Sequence, residues 1–570
     1  MRRVFLVRVR IILVCVILFA LLIVGRLYHV QILNGEEYTD RAERQYLRPG
    51  KNLFDRGSIF FTNKDGSKVS AATIKRGFGI ALDPRVLEHP DEAYYMLKDY
   101  LPLDEEDFLH RAAKQNDAYE EIAHKVEAEI GGNIKARQVE GVNVIREQWR
   151  YYPGNSLASH VIGFVGYDGD NRVGMYGLER KFNDVLTRED GGASLNFFAE
   201  LFTSLGETLF ESDTERDGDL VLTIEPTVQL SLEDTLQDIK DEWGSKTIGG
   251  IIINPKTGEI YAMAAYPTYN LNEYGAVDDP VVYKNPLVEN VYEMGSIIKP
   301  LTMAAGIDAG AVSPTTTYYD GGTLTLDGYT ISNFDGKGRG TVSMQEVLSQ
   351  SLNTGVAYVV DKMGHEAFKR YMLGYGLGTT TGIDLPNESS GIITNLTSPR
   401  SIEYATASFG QGIALTPIQT VSALSVLANG GTRITPHVVK AIDYKAFPTA
   451  AVSPKVGDEV LSLSTSLTIS RMLVEVVDKA LRNGEVKKEH YSIAAKTGTA
   501  QIAKSGSRGY YDDRYLHSFF GYFPAYDPTF LVFLFHTEPV GARYSSETLT
   551  KPFIDLTDFL INYYEVPPDR

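Results

Sequence analysis

Residues 11 to 25 read IILVCVILFALLIVG, a run of fifteen with no charge. Nothing else in the chain restricts its folding as sharply. As a helix the run spans roughly 22 Å, short of the ~30 Å hydrocarbon core of a bilayer. Its flanks extend it: Val4 to Val9 and Leu27 to Leu33 are largely apolar, and Arg8, Arg10 and Arg26 have side chains long enough to reach the interfaces. A cleaved signal peptide is the competing reading. Against it, no small-x-small site follows the run, and GRLYHVQ is bulky. Ile12-Leu13-Val14 before Cys15 does not resemble a lipoprotein cleavage site either. Arg2, Arg3, Arg8 and Arg10 precede the run, and Glu36, Glu37 and Asp40 follow it. That asymmetry predicts a cytoplasmic N-terminus. The expectation is a single-pass anchor over 1–33 that holds a large extracytoplasmic body at the cell membrane.

The body is long enough for several domain-sized units in a chain of 570 residues. Hydrophobic residues make up 43% and charged residues 22%, as in globular proteins with real cores. A formal net charge of −18 repels nucleic acid, so a polyanionic partner is not expected. The single cysteine rules out an internal disulfide, and no Cys/His spacing suits zinc. Ten scattered histidines form no ligand pattern, and neither a metal nor a cofactor is expected. DGDNRVGMYGLE, 168–179, has acids at positions one, three and twelve of a calcium loop, but Arg172 and Val173 occupy positions five and six.

Residues 34–215 mix short strand-like runs with helical stretches such as DEEDFLHRAAKQNDAYEEIAHKVEAEI. A change comes near 217. DGDLVLTI reads as a strand, and Glu225-Pro226 opens an amphipathic helix. Two β-rich runs then flank Asn254-Pro255-Lys256-Thr257-Gly258, which carries hairpin-turn chemistry. Further on, Thr416 and Pro417 start a helix that Gly430 ends. Strands are predicted at 517–523 and 529–535, with a final helix near 551–564. The fold class is α+β, with an antiparallel sheet covered by helices.

Ser296 and Lys299 form the only S-x-x-K in the chain. Residues three apart share a helix face, so the amine can meet the hydroxyl. Serine needs a base to become a nucleophile. A lysine serves when burial and a neighbouring cation depress its pKa. Pro300 fits best near a helix start, which puts Ser296 where backbone amides face a developing anion. The bland alternative is a helix carrying an exposed lysine, and one such match is expected by chance in a chain of this length. Two more motifs change that balance. S-x-N occurs at Ser194-Leu195-Asn196 and at Ser351-Leu352-Asn353. K-T-G occurs at Lys256 and at Lys496-Thr497-Gly498. The set S-x-x-K, S-x-N, K-T-G in the order Ser296, Ser351, Lys496 is that of penicillin-binding proteins and class A β-lactamases.

On these motifs the chain resembles a class B penicillin-binding protein, a monofunctional peptidoglycan D,D-transpeptidase. The resemblance covers most of the chain. ATASFGQGIALTPIQTVSALSVLANGG resembles the family's F-G-Q-G segment. Arg56-Gly57-Ser58-Ile59, Arg150-Tyr151-Tyr152-Pro153 and Gly177-Leu178-Glu179 resemble motifs of its elongated pedestal, or dimerisation, domain. Met294 stands where proline is usual, Ile297-Ile298 replace a threonine-aromatic pair, and Leu352 fills the middle of S-x-N. None of these departures removes a reactive group. The resemblance implies a pedestal domain over 34–215 and a transpeptidase domain over 216–570. It implies Ser296 as nucleophile, Lys299 as base, and Ser351 and Lys496 as a proton relay to the leaving D-alanine. Asn353, Thr497, Gly498 and Thr499 would bind substrate, with the backbone N–H groups of Ser296 and Thr499 as oxyanion hole. Partners implied are peptidoglycan stem peptides, β-lactams, the membrane and a glycan polymerase. Tyr292-Glu293 before Gly-Ser is closer to the division type than to the elongation type. A D,D-carboxypeptidase, a β-lactamase or β-lactam sensor, and a non-catalytic scaffold share parts of this pattern. Of the two K-T-G copies, the one at Lys256 reads as a turn and the one at Lys496 as the working strand.

Overall fold

The computed structural model describes residues 54–114, 116–169, 171–188, 217–445, 447–504, 506 and 509–570. The expected anchor at 1–33, the ends of the expected pedestal at 34–53 and 189–215, and the S-x-N at Ser194 lie outside these residues. Among the described residues no helix is long and apolar enough to cross a membrane. The chain divides into two compact units.

The smaller unit contains Ile74–Trp149. Its part of the strand Lys68–Leu82 pairs with the strand Glu120–Glu127 and with the strand Val142–Tyr151, and the helices Pro90–Leu97, Glu105–Ala112 and Ala128–Ala136 accompany them. Its core is built from Ile80, Leu82, Leu97, Phe108, Val126 and Ile134. The stretch from Asp104 to Ile130, expected to be helical, is therefore a helix, a strand and a second helix. Asp104 caps the first, its side chain accepting from the N–H of Asp107. The strand follows because Glu120–Glu127 finds an antiparallel partner in Gly77–Leu82. Ladder pairing overrides a sequence that reads locally as helix.

The larger unit gathers Arg56–Thr73, Arg150–Arg188 and, of the described residues, those from 217 onward. Its centre is an antiparallel sheet of β1 (Ile248–Ile253), β2 (Ile260–Tyr266), β3 (Ala494–Ala503), β4 (Tyr510–Phe523) and β5 (Phe530–Thr537). Their order in space is β3-β4-β5-β1-β2, so β3 and β2 are the edges. The helices that matter are α1 (Pro226–Trp243), α2 (Lys299–Asp308), α3 (Asn353–Met363), α4 (Pro417–Ala428), α5 (Leu463–Glu475), α6 (Ser545–Thr548) and α7 (Thr550–Tyr564). Strand alternation sends Phe519, Phe523, Val532 and Leu534 to one face of the sheet. There they pack on Leu232 and Leu236 of α1 and on Phe553, Leu556 and Leu560 of α7. Phe520, Tyr522, Phe533 and Phe535 point the other way, to a core shared with Leu301, Leu424 and Leu473 of α2, α4 and α5. Every residue of β5 is buried, as expected for a strand covered on both faces.

The helix starts read from the sequence hold. The side chain of Glu225 accepts from the N–H of Val228 at the head of α1, with Pro226 in the first turn. Thr416 does the same for α4, accepting from Gln419. All twelve residues of α4 are buried, so it is an internal helix rather than a surface one.

Candidate active site

The S-x-x-K segment bends before it becomes a helix. Gly295–Ile298 form a single 3₁₀ turn, and α2 begins at Lys299 with Pro300 in its first turn. Ser296 sits half-buried on that turn. Gly295 has φ +65°, and a Cβ there would lie 2.8 Å from the carbonyl oxygen of Thr499. Glycine is needed both for the left-handed backbone and for the close approach of β3. The N–H of Gly295 donates to Gly410 O at 3.1 Å, which seats the turn on the F-G-Q-G loop.

The amine of Lys299 donates to Ser351 O at 2.5 Å and to Ser351 Oγ at 3.1 Å. The spacing in the sequence aimed it at Ser296; its observed partners are on the S-x-N loop. Lys299 is 0% exposed. Burial, and then the charge of Lys496, hold its pKa well below the ordinary 10.5. Lys496 is 3% exposed, and burial lowers its pKa to about 7. Its amine donates to Thr497 O at 3.0 Å. Among the described ion pairs none involves either lysine. Burial without a carboxylate partner favours the neutral amine, which is the form a general base requires.

Ser351 lies between the helix Met344–Ser349 and α3 at φ +55°, a conformation unusual for a residue with a Cβ. A buried polar cluster holds it there. Asn333 Oδ1 accepts from the N–H of Asn353 at 3.0 Å, and Asn353 Nδ2 donates to Ser332 O at 2.8 Å. Thr354 Oγ1 donates to Asp320 Oδ1 at 2.8 Å, and Asn333 Nδ2 to both oxygens of Asp320 at 3.0 Å. Asp320 and Asn333 are buried. None of these three supports was read from the sequence. For Asp320 and Asn333 the only signal is the run of Asp, Asn and Gly between 320 and 340, which resembles ordinary turn composition, and Thr354 directly follows the S-x-N.

Lys496, Gly498 and Ala500 are buried on one side of β3, and Thr497 and Thr499 are half-buried on the other. The two threonines share a face, as their spacing predicts. Gly498 has an internal reason. A Cβ there would stand 2.3 Å from Ser518 Oγ and 2.8 Å from Met294 O. The strand therefore lies directly on the turn that carries Ser296. Thr499 Oγ1 accepts from the N–H of Ser545 at 3.1 Å. The other K-T-G lies in the turn between β1 and β2, beside the opposite edge of the sheet. There the N–H of Thr257 donates to Asn254 Oδ1 at 3.3 Å, and Gly258 takes φ +82°.

Glu293, three residues before Ser296, enters the sequence reading only as part of Tyr292-Glu293, with no chemical role. Both of its carboxylate oxygens accept from Tyr510 OH, at 3.0 and 3.2 Å. Burial pushes its pKa up to about 7.

The three N-terminal motifs meet in one ion cluster of the larger unit. Arg56 Nε and Arg150 Nε each donate to Glu179 at 2.6 Å, and Arg56 Nη2 donates to Glu179 O at 2.8 Å. Burial alone would raise the carboxyl's pKa, but the two guanidinium groups outweigh it and hold it below the ordinary value. Glu179 is thus committed to arginines and not to a cation loop. Among the described residues no group of His, Cys, Asp and Glu could hold a metal ion.

Residues 248–555 match the model of the penicillin-binding protein transpeptidase domain. Residues 55–209 match that of the penicillin-binding protein dimerisation domain. The chain is 33% identical over 543 residues to stage V sporulation protein D of Bacillus subtilis, covering 94% of this chain and 82% of that one. It is 26% identical over 603 residues to the peptidoglycan D,D-transpeptidase FtsI homolog of Mesostigma viride, with 98% and 96% covered. Among solved structures, penicillin-binding protein 3 of Mycobacterium tuberculosis complexed with aztreonam shares the fold with a TM-score of 0.69 at 23% identity, over 91% of this chain and 98% of that one.

Proposed function

This chain belongs to the class B penicillin-binding proteins of the division type, and on that premise we propose that it cross-links peptidoglycan stem peptides through an acyl-enzyme on Ser296. Lys299 takes the proton of the Ser296 hydroxyl as Oγ attacks the carbonyl between the two terminal D-alanines. The N–H groups of Ser296 and Thr499 hold the developing oxyanion, a kind of donor pair whose members are worth about 3–4 kcal/mol each. The amide bond breaks, and Ser351 with Lys496 delivers a proton to the departing D-alanine nitrogen. Asn353 holds the substrate amide, and Thr497 and Thr499 hold its terminal carboxylate. An amine from a neighbouring stem then attacks the ester, forms the new amide and frees Ser296. A β-lactam enters the same path at the first step and stops at the ester. The reading places this chemistry in septal wall synthesis, for which the likeness to relatives named FtsI is the support. It also holds that residues 1–33 anchor the chain with its N-terminus cytoplasmic. Residues 34–215 would then form the pedestal and 216–570 the transpeptidase, working beside a glycan polymerase.

The observation that carries the reading is the pair of buried amines, with Lys299 on Ser351 and its pKa held far below that of a free lysine. Intact-mass analysis of the full-length protein with a labelled penicillin, followed over time, tests it. A stable adduct that maps to Ser296 and is absent from Ser296→Ala is the expected result. Rapid release of hydrolysed drug would mean a lactamase, and no adduct at all would mean a scaffold.

A further inference from the structure

The face of the sheet opposite Ser296 carries a row of side chains of which the reaction uses only Thr499. In the β3–β4 ladder Thr499 stands opposite His517, and in the β4–β5 ladder His517 stands opposite His536. Residues opposite one another in a ladder share a face. Across this row lies the short segment from Arg543 to Thr548, which ends in α6. Thr548 Oγ1 lies 2.9 Å from His517 Nδ1 and 2.9 Å from His536 Nε2. His517 Nε2 lies 3.1 Å from Arg543 O, and His536 Nδ1 lies 2.7 Å from Ser245 Oγ. Both imidazoles are fully buried.

Only one arrangement of protons satisfies these contacts. Burial holds the pKa of His517 down to about 4 and that of His536 to about 3, so both rings are neutral at physiological pH. A carbonyl oxygen can only accept, so the proton of His517 is on Nε2, donating to Arg543 O. Its Nδ1 is then bare and accepts the Thr548 hydroxyl proton. That hydroxyl has one proton, so His536 Nε2–H must donate to Thr548 Oγ1. The bare Nδ1 of His536 accepts from Ser245. The chain of donors runs one way: Ser245, His536, Thr548, His517, Arg543 O. The 3.4 Å approach of Thr548 Oγ1 to Ser545 O is too long to compete.

The same segment is tied to the catalytic strand on its other side. The N–H of Ser545 donates to Thr499 Oγ1 at 3.1 Å, and Ser545 Oγ donates to Ser518 O at 2.7 Å. Ser518 Oγ in turn donates to Met294 O, just before the Ser296 turn, at 2.8 Å. We propose that His517, Thr548 and His536 are positioning residues, a neutral relay that fixes the 543–548 segment so that the Thr499 hydroxyl accepts from Ser545 and keeps its own proton for the carboxylate of the bound acyl donor. This rests on the transpeptidase reading above. The relay acts through Thr499 on carboxylate recognition and not on the attack by Ser296.

The test compares acylation of the full-length protein by a penicillin and by the methyl ester of the same penicillin, which lacks the carboxylate. Losing a donor to a charged group costs about tenfold or more. Thr548→Val should slow the free penicillin by about tenfold and leave the methyl ester unchanged, and Thr548→Ser should behave as the parent protein. An equal loss with both compounds, or no loss with either, overturns the relay. If the parent protein itself forms no adduct at Ser296, the transpeptidase reading fails instead. Imidazole ¹⁵N spectra of the unmutated protein supply a measurement that does not depend on a variant folding. Both rings should be neutral Nε2–H tautomers from pH 5 to 8. An Nδ1–H tautomer or a cation at either ring overturns the proton assignment and the relay with it.

Discussion

Replacing Lys496 by methionine should make the protein more stable and inactive at once. The side chain is 3% exposed, and burial lowers its pKa from 10.5 to about 7. At about 1.4 kcal/mol per pH unit, the preference of the site for the neutral amine amounts to about 5 kcal/mol. The direction follows from linkage. Between pH 7 and 10.5 the unfolded chain holds the Lys496 proton and the folded one does not, so stability rises with pH across that window. Below pH 7 both states are protonated and the full penalty is present. Lys496→Met has similar volume and no charge to desolvate. It should gain about 3–5 kcal/mol at pH 6.5 and lose the advantage as the pH approaches 10. Lys299 carries a shift of the same sign, part of which comes from Lys496. The quantity to read is therefore the difference in pH slope between parent and variant. Denaturant midpoints at pH 6.5, 8 and 9.5 give that difference, and labelled penicillin gives the acylation rate, expected to fall at least a hundredfold. Parallel slopes, or a variant less stable than its parent at pH 6.5, would show that the native amine is charged and paired, and the argument from burial would fail.

Gly498→Ala drives a methyl group to 2.3 Å from Ser518 Oγ and should abolish acylation by lifting β3 off the Ser296 turn, while leaving the thermal midpoint within a few degrees; normal labelling would refute the close approach. Thr257→Ala, in the turn between β1 and β2, should leave acylation nearly unchanged, whereas Thr499→Ala should slow it markedly; equal effects would mean the two K-T-G copies do not differ in role. Glu179→Gln leaves Arg56 and Arg150 buried beside a neutral amide and should cost about 3–5 kcal/mol in denaturant titration. Because the Glu179 carboxyl titrates below its ordinary value of 4.5 when folded, its contribution is present above that pH and disappears as the pH falls through the lower, folded pKa. A variant as stable as its parent at pH 7 would remove the cluster from the account of the fold.

Local chemistry sufficed for much of the molecule. The caps at Glu225 and Thr416 and the Asn254–Gly258 turn are decided within a few residues, and each appears where the sequence puts it. The order of Ser296, Ser351 and Lys496 was enough to recognise the family, because a reaction needing a nucleophile and two amines leaves residues that no core requires. What the sequence could not contain is the pairing of distant groups. Glu120–Glu127 reads as helix and becomes a strand because Gly77–Leu82 offers a ladder. Lys299 is three residues from Ser296, yet its amine bonds to Ser351, fifty-two positions away in the chain. Asp320, Asn333 and Thr354 look like turn residues until they close around the S-x-N loop. The lowered pKa values of Lys299 and Lys496 belong to no motif; they arise only when α2, α3 and β3 exclude water from the same small volume. Residue type sets what a group can do, and burial and distance, which exist only in the assembled fold, set whether it does so at neutral pH.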